Sequence, residues 1–277
     1  MTVTHTAVGE FLAGLEREER SPATRRQYQR DLQRFLRFAA GAPLTKGLII
    51  RYKEELQRDY LPTSVNAKLA ALNGFLRFTG NGELRVKQLR IQRKAFCPKQ
   101  RELSKAEYLR LVEAARQGKD EKLALLLQTI CGTGIRVSEL RFVTAEAVRS
   151  GEATVRLKGK TRAILISGKL RKALRNYAIH AGINAGPVFV TRNGKPLDRS
   201  NIWKMMKALC GKSGVHAGKV FPHNLRHLFA RCFYALDKDI AKLADVLGHS
   251  NINTTRIYIA SSGREHRRRM EALGLVM

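Results

Sequence analysis

The chain has 277 residues, of which 44% are hydrophobic and 27% charged, so it is long enough for two domains with buried cores. Its 52 Lys and Arg residues outnumber 23 Asp and Glu residues, and the net charge of +29 indicates an anionic partner, with nucleic acid the leading candidate. The sequence has neither a membrane-spanning apolar run nor a signal-peptide pattern, and its four scattered cysteines exclude a zinc cluster or disulfide framework, so we expect a cytoplasmic protein.

The first part of the chain, residues 1–90, is predicted to be a helical domain. Ser21 and Pro22 mark a helix start, because Ser caps a first turn well and Pro suits the first helical position. Apolar residues recur at helical spacing in three segments, which we place from Pro22 to just before Gly41, at 46–58 and at 63–78. Taken singly, the arginines on the other faces of the first of these helices are typical of a solvated surface.

Residues 91–102 (IQRKAFCPKQRE) are predicted to be an interdomain linker. The segment is basic, contains a proline and lacks an amphipathic period, and it could lie along a phosphate backbone. Residues 1–95 hold 18 basic and 9 acidic side chains, and residues 96–277 hold 34 and 14. We therefore expect both domains to face the anionic partner.

The remainder, residues 103–277, has an α+β pattern. Ser104 and Glu107 form a capping box that opens a helix ending near 115. Segment 152–166 alternates apolar and polar residues and predicts a β-hairpin, while 186–190 (GPVFV) is a candidate third strand. Further helices are predicted at about 121–131, 135–141, 168–181, 198–211, 222–235, 239–247, 251–259 and 264–273. The whole chain is thus expected to be mainly α with a small β-hairpin or sheet.

Four features suggest other chemistry but do not fit it. Gly159-Lys160-Thr161 and Gly211-Lys212-Ser213 lack the glycine five residues earlier that a phosphate-binding loop requires. His223 and His227 share a helix face as metal ligands can, but no third ligand has suitable spacing. Cys131 lies in an apolar run, which is typical of a structural thiol. We therefore predict no metal and no cofactor.

One predicted helix, 222–235, carries a polar pair opposite its apolar face. His223 and Arg226 are three residues apart, so they project from the same side of the helix. The apolar residues expected to face the core are Leu225, Leu228, Phe229 and Cys232. A shared ligand explains such a pair, and a guanidinium is well suited to a phosphate.

A wider set of side chains suits phosphodiester transesterification without a metal. Its members are Arg136, Lys158, His223, Arg226, His249 and Tyr258. Two guanidinium groups can neutralise a pentacoordinate phosphorane, a phenol becomes a nucleophile with help from a base and cations, and the leaving alkoxide needs a proton. Singly, each residue has a simpler interpretation; Arg136, for example, could form an ion pair with Glu139.

Five segments resemble the tyrosine recombinase family, which includes phage integrases and Xer-like recombinases. They are TGIRVSEL (133–140), LKGKTR (157–162), PHNLRHLFA (222–230), LGHSNINTT (247–255) and RIYI (256–259), in the order and spacing usual for the family. Residues 7–80 resemble the helical, SAM-like core-binding domain of the family more weakly. The resemblance implies a core-binding domain at 1–90, a linker at 91–102 and a mixed catalytic domain at 103–277.

The resemblance also implies how the phosphate is attacked and held. Tyr258 would attack the scissile phosphate, leaving a 3′-phosphotyrosyl link and a free 5′-hydroxyl. Arg136 and Arg226 would bind the non-bridging oxygens, His249 would hold the phosphate, and Glu139 would support the site from behind.

Proton transfer is assigned on the same basis. His223 would act as an acid or base near the tyrosine, and Lys158 would protonate the leaving 5′ oxygen. The hairpin is one residue shorter than the Gly-Lys-Gly-x-Lys pattern frequent in the family, which keeps Lys160 as a second candidate for the acid.

The function implied is site-specific recombination, serving either a mobile element or the resolution of chromosome or plasmid dimers. A C-shaped clamp would enclose double-stranded DNA, with a dimer on each recombination site, a tetramer in the synapse and accessory factors, in the cytoplasm at the nucleoid. The last segment (261–277) could pack on a neighbouring protomer or fold back, through Met270, Leu273, Leu275 and Val276. Alternatives are DNA relaxation like that of a type IB topoisomerase, and a DNA-binding protein without catalysis.

Overall fold

The structure is a computed structural model that describes residues 4–91, 102–157, 160–259 and 271–274. The chain divides into two compact units at Arg93 and Lys94. Most of the predicted linker, the hairpin residues Lys158 and Gly159, and most of the predicted last helix at 264–273 lie outside the described residues, as do Met270, Leu275 and Val276. Within the described ranges, no helix is both long enough and apolar enough to cross a membrane.

The N-terminal unit is a bundle of four helices followed by a short 3-10 turn. Its helices are α1 (His5–Arg17), α2 (Pro22–Ala39), α3 (Lys46–Asp59) and α4 (Pro62–Phe78). The side chains of Thr4, Ser21 and Thr45 accept backbone hydrogen bonds at the starts of α1, α2 and α3. Helix α1 was not predicted from the sequence, although Val8, Phe11 and Leu15 mark its buried face at helical spacing.

The C-terminal unit is helical around one small sheet. Its helices are α5 (Lys105–Gln117), α6 (Glu121–Thr133), α7 (Ala145–Ser150), α8 (Gly168–His180), α9 (Arg199–Ser213), α10 (Pro222–Asp237), α11 (Ile240–Leu247) and α12 (Ile252–Ile259). The central helix, α6, packs against α5, α8 and α10, and most of its side chains are buried because it is apolar on nearly every face. The capping box of Ser104 and Glu107 is present as predicted.

The hairpin consists of β1 (Glu152–Leu157) and β2 (Lys160–Leu165), which pair antiparallel. Its buried face carries Ala153, Val155 and Ile164, in agreement with the alternation in the sequence. The predicted fold class, mainly α with a small antiparallel sheet, is confirmed.

Two local expectations were wrong. Segment 186–190 is not a strand but a buried loop, with isolated bridges from Thr144 to Pro187 and from Val190 to Pro196. An apolar run indicates that a segment is buried but not that it pairs with a strand, which accounts for the error. Cys232, expected to face the core, is exposed on α10, since the core-facing side of that helix is narrower than predicted.

Candidate active site

The end of α6 leads directly into the first part of the site. Gly134 ends the helix with φ of +64°, and a Cβ there would lie 2.5 Å from a ring atom of Phe229 on α10. Only glycine suits this position, because the backbone is left-handed and α10 approaches closely. Arg136 then caps a 3-10 helix (Val137–Phe142), which places Glu139 one turn further on.

Glu139 is 2% exposed and anchors two arginines. One carboxylate oxygen accepts from the Arg136 guanidinium at 2.9 Å, and the other accepts from the Arg136 backbone N–H at 3.0 Å and from Arg162 at 2.5 Å. A second nitrogen of the Arg136 side chain donates to the carbonyl of Gly248 at 3.1 Å. Burial would raise the pKa of Glu139, but the hydrogen bonds from Arg136 and the charges of both arginines hold that pKa below its usual value.

Arg226 is 2% exposed, on the inner side of α10. One terminal nitrogen donates to the carbonyl of Gly134, and the other donates to the carbonyl of Leu247 at 2.7 Å and contacts His249 Nε2 at 2.9 Å. Its Nε is buried without a hydrogen-bond partner. Burial, reinforced by the charge of Arg136, lowers the pKa of Arg226 to about 10. Arg226 was expected on the face away from the core, but it is buried, because the two carbonyls replace the water that it loses.

The imidazole of His249 bridges Arg226 and α12. Its Nε2 faces the Arg226 guanidinium, and its Nδ1 lies 2.9 Å from Thr255 Oγ1, which is fully buried. A guanidinium can only donate, so Nε2 accepts and Nδ1 carries the proton that is donated to Thr255. Burial and the charges of Arg226, Arg136 and Arg162 lower the pKa of His249 to about 4, so the ring is neutral at neutral pH.

Tyr258 lies on α12 within the same chain and is 6% exposed. Three imidazoles surround its ring, with centroid distances of 4.2 Å to His227, 5.4 Å to His249 and 5.5 Å to His223. The phenol also interacts favourably with the Arg226 guanidinium, which partly offsets the lowering of the arginine pKa. Within this unit, the fold therefore places a phenol beside a buried cation.

The two histidines of α10 pack edge to face, with ring centroids 4.8 Å apart. His223 keeps part of its side chain exposed to solvent, and its partial burial with the charges of Arg226, Arg199 and Arg136 lowers its pKa. Burial, followed by His223, Arg231 and Arg226, lowers the pKa of His227 to about 4. Both rings are thus biased towards the neutral form, which can accept a proton.

Among the described residues, no group of three or more His, Cys, Asp and Glu side chains could hold a metal ion. Cys131 is half-buried, and burial raises the pKa of its thiol to about 12, which agrees with a structural rather than nucleophilic thiol.

The structure brings together six residues selected from the sequence, which are Arg136, Glu139, His223, Arg226, His249 and Tyr258. Lys158 lies outside the described residues, and for Lys160 only the backbone is described, at the start of β2. No role was predicted from the sequence for Arg162 or Thr255, and His227 was considered only as a metal ligand. A signal existed for Arg162, because the alternation of the hairpin puts it on the same face as the buried Ile164.

Comparison with known proteins agrees with this geometry. The phage integrase family matches residues 101–265, and the N-terminal SAM-like domain of phage integrases matches residues 8–80. The chain is 30% identical to tyrosine recombinase XerA of Pyrococcus furiosus, over 99% of this chain and 96% of that protein. It is 28% identical to tyrosine recombinase XerC of Erythrobacter litoralis, over 93% of this chain and 88% of that protein.

Solved structures show the same fold. A crystal structure of XerA recombinase superposes with a TM-score of 0.55 at 26% identity, covering 99% of this chain and 100% of that one. A λ integrase dimer bound to a COC′ core site gives a TM-score of 0.76 at 18% identity, covering 95% and 97%. The buried phenol beside the Arg226 guanidinium and the family match agree: the chain belongs to the phage integrase family and is a tyrosine-type site-specific recombinase, which breaks and rejoins DNA.

Proposed function

We propose that Tyr258 is the nucleophile that cleaves each DNA strand. Its oxygen would form a bond to the scissile phosphorus while the bond from phosphorus to the 5′ oxygen breaks, which leaves a 3′-phosphotyrosyl link. Attack by the 5′-hydroxyl of another strand reverses these steps, so no external energy source is required. The observation that carries the proposal is the position of Tyr258, buried in its own chain beside Arg226 and three imidazoles.

Arg136 and Arg226 would bind the non-bridging oxygens of the phosphate. Arg136 and Arg162 share the single carboxylate of Glu139, and the charges of both act on Arg226, which pairs with no carboxylate of the described residues, so positive charge remains in excess. Arg226 also has a buried Nε without a partner. Preorganised cations of this kind favour the extra negative charge of the pentacoordinate state over that of the bound substrate.

The histidines would divide proton transfer and phosphate binding. His223, whose pKa is lowered by burial and by nearby arginines, would accept the phenol proton. The Nδ1–H of His249 donates a hydrogen bond to Thr255. Nε2 can therefore donate to a phosphate oxygen only when the ring is protonated. The negative charge of the phosphate would raise the pKa of His249 from about 4 and favour that form.

Lys158 would donate the proton to the leaving 5′ oxygen, with Lys160 as the second candidate. In the sequence, Lys158 follows the last residue of β1. Lys160 is the first residue of β2 and pairs with Leu157 of β1. A lysine can supply this proton because the alkoxide is far more basic than an amine.

At the level of the whole protein, we propose a core-binding domain at 1–90, a linker at 91–102 and a catalytic domain at 103–277. A homodimer would bind each double-stranded recombination site, two dimers would form a tetrameric synapse, and accessory factors would assist, in the cytoplasm at the nucleoid. Support comes from the λ integrase structure, which is a DNA-bound dimer, and from the basic charge of both units. The reaction would serve either a mobile element or the resolution of dimers, and a footprint on candidate sites distinguishes them.

A suicide substrate tests the chemistry. Double-stranded DNA nicked just beyond the scissile phosphate loses the short 5′-hydroxyl strand after cleavage, so the covalent adduct accumulates. We expect wild-type protein to form the adduct and Tyr258→Phe to bind the DNA without forming it. Tyr177→Phe, at a half-buried tyrosine of α8, is the matched control. An adduct with Tyr258→Phe would contradict the assignment, and relaxation of plasmid lacking any recombination site would favour the topoisomerase alternative.

A further inference from the structure

Arg162 connects three parts of the catalytic unit that are distant in sequence. It lies on β2, opposite Val155, and its side chain is largely buried. One terminal nitrogen donates to the Glu139 carboxylate at 2.5 Å, and the other donates to the carbonyl of Val246 at 2.9 Å. The guanidinium therefore joins the hairpin, the 3-10 helix after α6, and the end of α11.

Gly248 shows how closely this side chain is packed. A Cβ at Gly248 would lie 2.3 Å from Arg162 Cδ and 2.7 Å from Nε, and the residue has φ of +63° at the end of α11. Its carbonyl accepts from Arg136 at 3.1 Å. The backbone of Gly248 thus lies between the aliphatic part of Arg162 and the guanidinium of Arg136, and a side chain there would separate them.

These contacts fix the direction of the Arg136 guanidinium. Arg136 is oriented by one carboxylate oxygen of Glu139 and by the carbonyl of Gly248. Arg162 holds the other oxygen of Glu139 and packs on Gly248 itself. Both supports of Arg136 therefore depend on Arg162, as does the turn that carries His249.

We propose that Arg162 is a positioning residue for strand cleavage, which holds the Arg136 guanidinium in place through Glu139 and Gly248. The inference rests on the proposed function in one respect, because it takes Arg136 as a ligand of the scissile phosphate. Arg162 does not itself touch the phosphate in this assignment. Arg162→Lys retains a positive charge next to Glu139 but offers a point charge where a planar fork spans two acceptors.

The test compares an ordinary phosphodiester with a methylphosphonate at the scissile position. Replacing one non-bridging oxygen by methyl removes a negative charge, so cleavage depends less on a correctly placed guanidinium. We measure the single-turnover rate at which the 5′-hydroxyl strand is released from saturating substrate. On ordinary DNA we expect Arg162→Lys to be slower than wild type by about 100-fold, the scale of a misplaced catalytic group. On the methylphosphonate we expect this ratio to shrink at least about tenfold, and we expect the same relief for Arg136→Lys.

Arg171→Lys is the matched control. Arg171 of α8 also joins two backbone carbonyls, those of Val148 and Arg149, and packs against a left-handed glycine, Gly151, away from the site. We expect this variant to lose thermal stability without a change in the cleavage rate on either substrate. A defect in Arg162→Lys that is the same on both substrates, while Arg136→Lys is relieved, would overturn the inference.

A double-mutant cycle with Glu139→Gln separates this inference from the proposed function. If Arg162 acts through Glu139, the two substitutions together should slow cleavage less than the product of their separate effects. If even Arg136→Lys is not relieved on the methylphosphonate, the proposed charge neutralisation by Arg136 is contradicted. In that case the double-mutant cycle alone tests the positioning role of Arg162. That role would be overturned if the effects of Arg162→Lys and Glu139→Gln on the cleavage rate simply multiply.

Discussion

In the N-terminal unit, Arg34 and Lys68 lie 4.9 Å and 4.7 Å from the centre of the Tyr60 ring, and each has carboxylate partners. Lys68 pairs with the buried Asp31 at 2.8 Å, and Arg34 pairs with Asp59 at 2.7 Å. In the C-terminal unit, Arg136 and Arg162 share Glu139, and Arg226 is held by carbonyls and a neutral imidazole. No carboxylate of the described residues pairs with Arg226.

The two groups of cations differ in whether carboxylates of the same unit neutralise them or leave positive charge available for an anion. Carboxylates neutralise the cluster around Tyr60, so it has little attraction left for phosphate, and removal of one partner would leave an uncompensated charge. Around Arg226 the positive charge is in excess, and burial together with the neighbouring guanidiniums lowers the pKa values of Arg226, His223 and His249. A bound phosphate would supply the missing negative charge and relieve this repulsion.

Among the substitutions that test this comparison, Arg226→Lys should have the largest effect, which is on the rate of DNA cleavage. Arg226 reaches Gly134 with one terminal nitrogen and Leu247 and His249 with the other, whereas the donors of a lysine all lie on one nitrogen, so the carbonyls and the phosphate would lose partners. We expect cleavage of saturating DNA to slow by about 1,000-fold, the scale seen when a preorganised donor to a developing charge is lost. Single-turnover release of the 5′-hydroxyl strand measures it.

The matched control for this prediction is Arg34→Lys in the N-terminal unit, which should cleave at close to the wild-type rate. Arg34 also uses both terminal nitrogens, on Tyr60 at 2.7 Å and on Asp59. A cleavage rate for Arg226→Lys within tenfold of wild type would show that cleavage does not require the planar, two-sided guanidinium at this position.

Lys68→Met tests the other side of the comparison. Asp31 is 8% exposed, and without Lys68 its charge is left in an apolar site. We expect the free energy of unfolding to fall by about 4 kcal/mol, as when one partner of a buried pair is removed. Urea denaturation measures this loss, while cleavage of saturating DNA by the folded variant should be unchanged.

Two further variants sharpen the result for Lys68. Lys53→Met removes a lysine that donates to the carbonyl of Lys87 rather than to a carboxylate, and it should cost less than about 1 kcal/mol. Adding Asp31→Asn to Lys68→Met should restore part of the stability, because the unpaired charge is gone. If the double variant is no more stable than Lys68→Met, the loss is due to packing and not to the ion pair.

Much of the fold is predictable because its boundaries are local. Ser21 with Pro22 and Ser104 with Glu107 mark helix starts in the sequence, and the structure has those helices where the caps predict them. Segment 186–190 shows the limit, since Val188 and Phe189 are buried by tertiary contacts and not by a third strand.

The residue types of the site follow from the resemblance, but its electrostatics do not. The sequence places Arg136 and Glu139 three residues apart, yet it does not show that Arg162 shares the carboxylate, 23 positions further on. Nor does it show that His249 accepts from Arg226 while donating to Thr255, which fixes its tautomer, or that burial and nearby arginines lower its pKa. These properties depend on distances between segments that only the folded chain brings together.

The histidines give the smallest predicted effect, and it is confined to the C-terminal unit. The pKa of His227 is about 4 in the folded state, against an ordinary value near 6.5, because burial and neighbouring cations disfavour its charged form. Between these values the unfolded chain binds a proton that the folded chain does not. Stability is therefore complete above about pH 6.5 and falls as the pH drops towards 4.

His227→Phe keeps a ring beside Tyr258 and removes this titration. Solvent reaches the half-buried ring and reduces the effect. Between about pH 6.5 and pH 4 the free energy of unfolding of the wild type should therefore fall by about 2 kcal/mol more than that of the variant, or about 4–8 °C in Tm. Thermal unfolding at intervals from pH 7 to pH 4 measures the difference. His180→Phe, on the far helix α8, should follow the wild-type curve. Equal slopes for wild type and His227→Phe would contradict the lowered pKa of His227, and burial and the neighbouring cations would then disfavour its charged form less than the structure indicates.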